Sequence, residues 1–125
     1  MNLKEYFESK QGRGVLATSD SEGRVDAAVY ARPHVLDGDT IAFIMADRLT
    51  HQNLQSNPRA AYLFMEDGDH YVGKRFFLTK TKEVKNAKEI DAIRRRSYEE
   101  LKDEDEFLVY FRIDKTLPLI GAGEG

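Results

Sequence analysis

The stretch Ile41 to Phe64 reads IAFIMADRLTHQNLQSNPRAAYLF, and its order of apolar and polar residues decides the fold. The first run, Ile41-Ala42-Phe43-Ile44-Met45, has the residue types of a buried strand. It ends at Ala46-Asp47-Arg48, and Thr50 then stands where a hydroxyl caps a short helix continuing through Leu54 and Ser56. Asn57-Pro58 stops that helix, because the residue before a proline avoids helical backbone angles. A second buried run, Ala60-Ala61-Tyr62-Leu63-Phe64, follows at once. The reading is strand, polar turn, short helix, strand. The polar turn carries Arg48, Thr50, His51 and Asn53 beside a helix N-terminus, where unpaired N–H groups and the helix dipole favour an anion. Residue types alone leave an ordinary capped helix with solvated basic neighbours equally open.

Working outward toward the N-terminus, Leu3, Tyr6 and Phe7 fall at helical spacing and predict a short amphipathic helix over Asn2 to Lys10. Gly12 and Gly14 are expected to break it before a strand over Val15 to Ser19. Asp20-Ser21-Glu22-Gly23 reads as a turn. Arg24 to Arg32 alternates, with Val25, Ala27, Val29 and Ala31 on one face and Asp26, Tyr30 and Arg32 on the other. Pro33 ends that ladder or places it at an edge. Asp37-Gly38-Asp39 is a hairpin signal leading into the Ile41 run.

Toward the C-terminus, Glu66 to Gly73 is too long for a tight hairpin, and Arg75 to Val84 predicts the next strand. Ala87 to Leu101 predicts a helix with Ile90 and Ile93 inward and Arg94-Arg95-Arg96 around the outside, a pattern that belongs to a solvated helix face. Asp103 to Glu106 is an acidic connector, and Phe107 to Ile113, FLVYFRI, is apolar on both faces. Six strands with hairpin-like links predict a mainly β fold, an antiparallel barrel with a few flanking helices, rather than a doubly wound sheet.

The 125 residues make one domain, a length at which about two-thirds of the unfolded surface is buried. Charged residues at 33% and hydrophobic ones at 41% fit a globular chain. Without cysteine there is no disulfide framework, thiolate nucleophile or thiolate metal site. His34, His51 and His70 share no metal-ligand spacing, so no metal is expected. The net charge of −3 argues against nucleic acid. No apolar run approaches the roughly 20 residues that span a bilayer, and Met1 to Glu5 lacks the apolar core of a signal peptide, so a cytoplasmic protein is expected.

Taken together, the strand before the turn, the hydroxyl-bearing turn and the Asn57-Pro58-Arg59-Ala60-Ala61-Tyr62-Leu63-Phe64 entry resemble the pyridoxamine 5′-phosphate oxidase-like family of FMN-binding split barrels. The resemblance runs back to Gly14-Val15-Leu16-Ala17-Thr18 and forward to the strand around Phe76 to Lys82. It implies a six-stranded Greek-key split barrel, a homodimer, and FMN at the interface. Carried over by position, it implies that the backbone of Val29 and Tyr30 runs along the flavin ring and that Arg32 holds the phosphate side. Ile44 and Met45 would lie against the ring and ribityl chain, although by composition alone core packing is the better account of both. Arg48, Thr50 and His51 would form the phosphate turn, and Tyr71 and Arg75 would approach the cofactor from a partner subunit. His51 stands where the family more often has lysine or arginine.

The function implied is an FMN-dependent oxidoreductase or electron-transfer protein in which no side chain need be an acid or base. The vitamin B6 oxidase reaction itself is not expected, because the family's arginine-rich substrate motif near a tryptophan has no counterpart in a chain without tryptophan. Two alternatives remain open at this point. One is a haem-binding split barrel using His34, His51 or His70 as axial ligand. The other is a cofactor-free dimeric domain that binds a small molecule or a partner protein.

Overall fold

Asn2 starts the first element by accepting a hydrogen bond at 3.0 Å from the backbone N–H of Glu5, which caps α1 (Leu3–Ser9). Leu3 and Phe7 point from one side of α1 into the core, where the Phe7 ring meets Tyr62, Phe64 and Phe76. The helix thus plugs one end of a barrel. The computed structural model describes residues 2–86, 88–93 and 105–121.

The strands are β1 (Gly12–Ser19), β2 (Val25–Val29), β3 (His34–Val35), β4 (Thr40–Ala46), β5 (Arg59–Glu66), β6 (Gly73–Lys85) and β7 (Glu106–Pro118). They form one seven-stranded sheet in the order β2-β1-β5-β6-β7-β4-β3, and every pairing is antiparallel. β5, β6 and β7 follow one another, and β4 returns beside β7, which is the Greek-key arrangement expected from the sequence. The seventh strand is the two-residue β3, too short for a periodic signal. α2 (Leu49–Ser56) carries the chain from β4 to β5, and α3 (Glu89–Ile93) lies between β6 and β7. The rest of the helix expected over residues 87–101, including Arg94 to Arg96, lies outside the described residues.

Several boundaries differ from the sequence reading, each for a local reason. β1 begins at Gly12, so its glycines do not break the chain. A Cβ at Gly14 would strike the Tyr62 hydroxyl, and one at Gly12 the Met65 carbonyl. These glycines let β5 lie close, which is a packing role rather than a turn role. The space beside Gly14 lets the Tyr62 hydroxyl donate to the carbonyls of Tyr30 and Ala31, at 3.0 and 3.1 Å, and so hold the chain leaving β2. The alternation of residues 24–32 continues as a strand only to Val29. Beyond it, Arg32 turns back, and its Nη1 donates to the carbonyls of Phe7 and Lys10 at the C-terminal end of α1. Those carbonyls have no partner within the helix, so a guanidinium suits them.

The core is one aromatic cluster of Phe7, Phe43, Tyr62, Phe64, Phe76 and Phe111, with Leu16, Ile41, Met45, Leu54, Leu78 and Val109 filling between them. A smaller cluster outside the barrel wall joins Ala42 and Leu108 to Ile90 of α3. Direct cross-strand pairs place Val15, Ala17, Val25, Ala27, Val29, Ala61, Leu63 and Phe77 together on the outer face of β2-β1-β5-β6. Val25 and Val29 are 81% and 82% exposed there. The apolar side of β2 therefore faces outward, and Asp26, Ala28 and Tyr30 point toward the barrel.

Candidate functional site

α2 begins where β4 ends, and its first turn stands beside the inward face of β2. The N-cap residue is Arg48, with extended backbone angles and no side-chain cap bond. Thr50, expected as the cap, is instead the second helical residue and is 4% exposed. Its hydroxyl turns inward, where it hydrogen-bonds Tyr30 and lies 3.4 Å from the Asp26 carboxylate. α1 has its Asn2 cap; α2 presents backbone N–H groups with no side chain of its own over them. An exposed guanidinium, Arg48, stands at that position.

A polar seam runs inward from this point. Asn53, one turn along the same helix face and 5% exposed, donates at 3.1 Å to the buried Thr18 hydroxyl of β1. Thr18 pairs with Asp26 across the sheet. Thr18, Asp26, Tyr30, Thr50 and Asn53 thus form a polar strip between α2 and the barrel wall. Burial pushes the Tyr30 phenol above its usual range, and the charge of Asp26 acts with it, against the Thr50 hydrogen bond and the charge of Arg48. Tyr30 is consequently a neutral hydroxyl that packs edge-on to Phe43.

His51 faces a different way. Its Nδ1 is 2.8 Å from Asp47 and its Nε2 is 2.9 Å from Glu83 of β6, while the ring stacks on Phe107 with centroids 3.8 Å apart. The side chain is held on both ring nitrogens and 5% exposed, so its polar edge has no face to offer a ligand. Glu83 also accepts from Gln55 at 3.0 Å and from Lys80 at 2.5 Å. Partial burial opposes its charge, but the bonds from Gln55, Lys80 and His51 outweigh it, and the pKa falls from 4.5 to about 2. Glu83, His51 and Asp47 form a latch that fastens α2 to β6.

With this geometry in place, the chain can be set beside known proteins. A family model described as pyridoxamine 5′-phosphate oxidase matches residues 3–114. The chain belongs to that family. A search of the curated proteins returns no match. Among solved structures, an FMN-binding protein from Syntrophomonas wolfei subsp. wolfei superposes with a TM-score of 0.78 at 16% identity, covering 96% of this chain and 85% of that one. An F420 reductase gives 0.65 at 20% identity, covering 90% and 94%. The heme storage protein HutZ from Vibrio cholerae gives 0.63 at 16% identity, covering 99% and 100%. At these identities the likeness is one of fold.

Within this member of the pyridoxamine 5′-phosphate oxidase family, Tyr30, Arg48 and Thr50 come together at the start of α2. The other residues singled out in the sequence stand elsewhere. Val29 is on the outer sheet face, and Arg32 is bound to the end of α1. Ile44 and Met45 are neighbours on one strand and so point to opposite sides of it. Met45 is in the barrel core and Ile44 packs in the outer cluster under α3. Tyr71 is exposed in the loop before β6, and Arg75 donates to the carbonyls of Pro118 and Gly121. Sequence reasoning missed Asp26 and Glu83. Asp26 had one available signal, a carboxylate on the inward register of a valine–alanine strand. Among the described residues no group of three or more histidines and carboxylates could hold a metal ion.

Proposed function

We propose that the chain is an FMN-binding split-barrel flavoprotein that acts as a homodimer in electron or hydride transfer. The observation that carries this reading is the start of α2, where N–H groups without a side-chain cap stand with the exposed Arg48 guanidinium, and the Thr50 hydroxyl lies just inward of them, in a chain of this family. That donor set suits a phosphate monoester. The FMN-binding protein and the F420 reductase among the structural neighbours support a flavin. When bound, FMN supplies the redox chemistry; the chain's own residues bind and orient it. Phosphopyridoxamine oxidation is not part of the proposal, since the chain has no tryptophan and no arginine-rich substrate motif.

The HutZ neighbour raises haem, but His51 cannot act as an axial ligand with Asp47 and Glu83 on its two nitrogens. That reading would depend on His34 or on His70 in an exposed loop. A dimer is supported by the apolar outer face of β2-β1-β5-β6, where Val25, Val29 and Phe77 stand exposed on one side of the sheet. The Phe107 strand, apolar on both faces, is covered within the chain: Phe107 by His51, and Leu108 by Ile90. The proposed interface therefore centres on Val29 and Phe77. No helix among the described residues is long and apolar enough to cross a membrane, and a cytoplasmic location is part of the proposal.

The test is the visible spectrum of the purified protein, with the released ligand identified by mass. Flavin bands and the mass of FMN support the reading. A Soret band, or a colourless protein that does not take up added FMN, overturns it.

A further inference from the structure

Asp26 is the one carboxylate on the inward face of β2, and it lies against the first turn of α2. Among the described residues it makes no ion pair, and its hydrogen-bond contact is the Thr50 hydroxyl at 3.4 Å. A negative group near the positive end of a helix is favourable to the protein alone. It is unfavourable to any second anion placed there, because like charges a few ångströms apart repel, and more strongly where a barrel wall excludes water. The charge of Asp26 reaches this cluster, since it acts on the Tyr30 phenol, where the Arg48 charge at the helix N-cap opposes it. Asp47, on the turn before α2, is drawn away by His51. Asp26 is therefore the carboxylate left facing the start of the helix.

We propose that Asp26 is a built-in competitor for the anion site at the start of α2 and sets its preference against doubly charged phosphate. The inference rests on the flavin reading above and deepens it: the site accepts a phosphate monoester, but binds it less tightly than the same donor set would without Asp26. Two consequences follow from charge alone. Neutralising Asp26 must help FMN and leave riboflavin, which has no phosphate, unchanged. The gain must also grow as pH rises through about 6, where a phosphate monoester takes its second charge.

The experiment titrates the full chain with FMN and with riboflavin by fluorescence quenching at pH 5 and pH 8. Wild type is compared with Asp26→Asn, Asp26→Ser and the exposed-loop control Asp69→Asn, which changes net charge by the same amount. The expected result is FMN binding about tenfold tighter at pH 8 and about threefold tighter at pH 5 in both Asp26 variants. Riboflavin affinity and the Asp69→Asn protein should match wild type. Wild type that binds FMN without any gain in the Asp26 variants overturns this inference and leaves the flavin reading standing. So does an equal gain for riboflavin, or an equal gain in Asp69→Asn. FMN binding by none of the proteins overturns the flavin reading and this inference with it.

Discussion

Replacing His51 with phenylalanine separates the latch from the anion site. A phenylalanine keeps an aromatic ring against Phe107 and removes both contacts to carboxylates. Asp47 is 59% exposed, so losing its partner there costs little. Glu83 is 21% exposed and keeps Gln55 and Lys80, so it is only partly stranded. A buried carboxylate that loses a partner outright costs several kcal/mol, and one charge-assisted bond about 1.5–3. With two donors retained, the expected loss is about 1–2 kcal/mol, or roughly 3–8 °C in Tm for a domain of this size. The pH dependence fixes the cause. Glu83 has a folded pKa of about 2 against an ordinary 4.5, so its contribution is fully present above about 4.5 and is lost as pH falls toward 2. His51→Phe weakens that depression. The stability gap between wild type and variant should have its full size above about pH 4.5 and shrink toward pH 2.5, measured by urea unfolding across that range. FMN affinity at pH 7 should stay within about threefold of wild type, because on this geometry His51 does not face the phosphate. A variant of undiminished stability, a gap that does not close in acid, or loss of FMN binding without loss of stability would refute the latch.

Further outcomes follow from other contacts. Arg48→Ala should weaken FMN about fivefold while leaving riboflavin unchanged, the low end for a charge-assisted bond because the guanidinium is exposed; parallel titrations check it. Arg32→Ala should instead loosen α1, lowering stability by about 1 kcal/mol and raising amide exchange in Leu3–Ser9. Gly14→Ala should cost about 1–3 kcal/mol in urea unfolding, since the added methyl must displace the Tyr62 ring, whose hydroxyl holds the chain leaving β2. Val29→Asp or Phe77→Asp should weaken self-association about tenfold or more by sedimentation without lowering the helix and sheet signals.

What the sequence made legible depends on how far apart the interacting residues are. Ile41 to Met45 and Ala60 to Phe64 read as strands because their neighbours in sequence carry the signal, and both lie in the sheet. The helix between them was equally legible, but not its first residue: a threonine two positions past Arg48 reads as a cap, and only the inward polar strip explains why Thr50 turns away from that duty. Gly12 and Gly14 read as breakers because a glycine next to a large ring on another strand cannot be told from a glycine in a turn. His51 is the sharpest case. Its position in the turn suggested an anion, yet its second carboxylate, Glu83, is 32 residues away and has no local mark.

The two faces of β2 carry the same lesson one step further. Alternation shows that Val25, Ala27 and Val29 share a side, and the usual inference would put that side in the core. The core already has its aromatics from β4, β5, β6 and β7, and α1 closes the end of the barrel. An edge strand of that barrel can then leave its valines outside and turn Asp26 and Tyr30 inward. Both choices cost stability in an isolated chain, since apolar surface stays wet and a carboxylate is half-buried. The first is offset if a second copy covers the valine face, and the second by the positive end of α2 beside Asp26, which then opposes a phosphate-bearing ligand there. On this reading the binding site and the dimer surface are opposite sides of one five-residue strand. A substitution that shifts β2 by one register should therefore abolish both functions together.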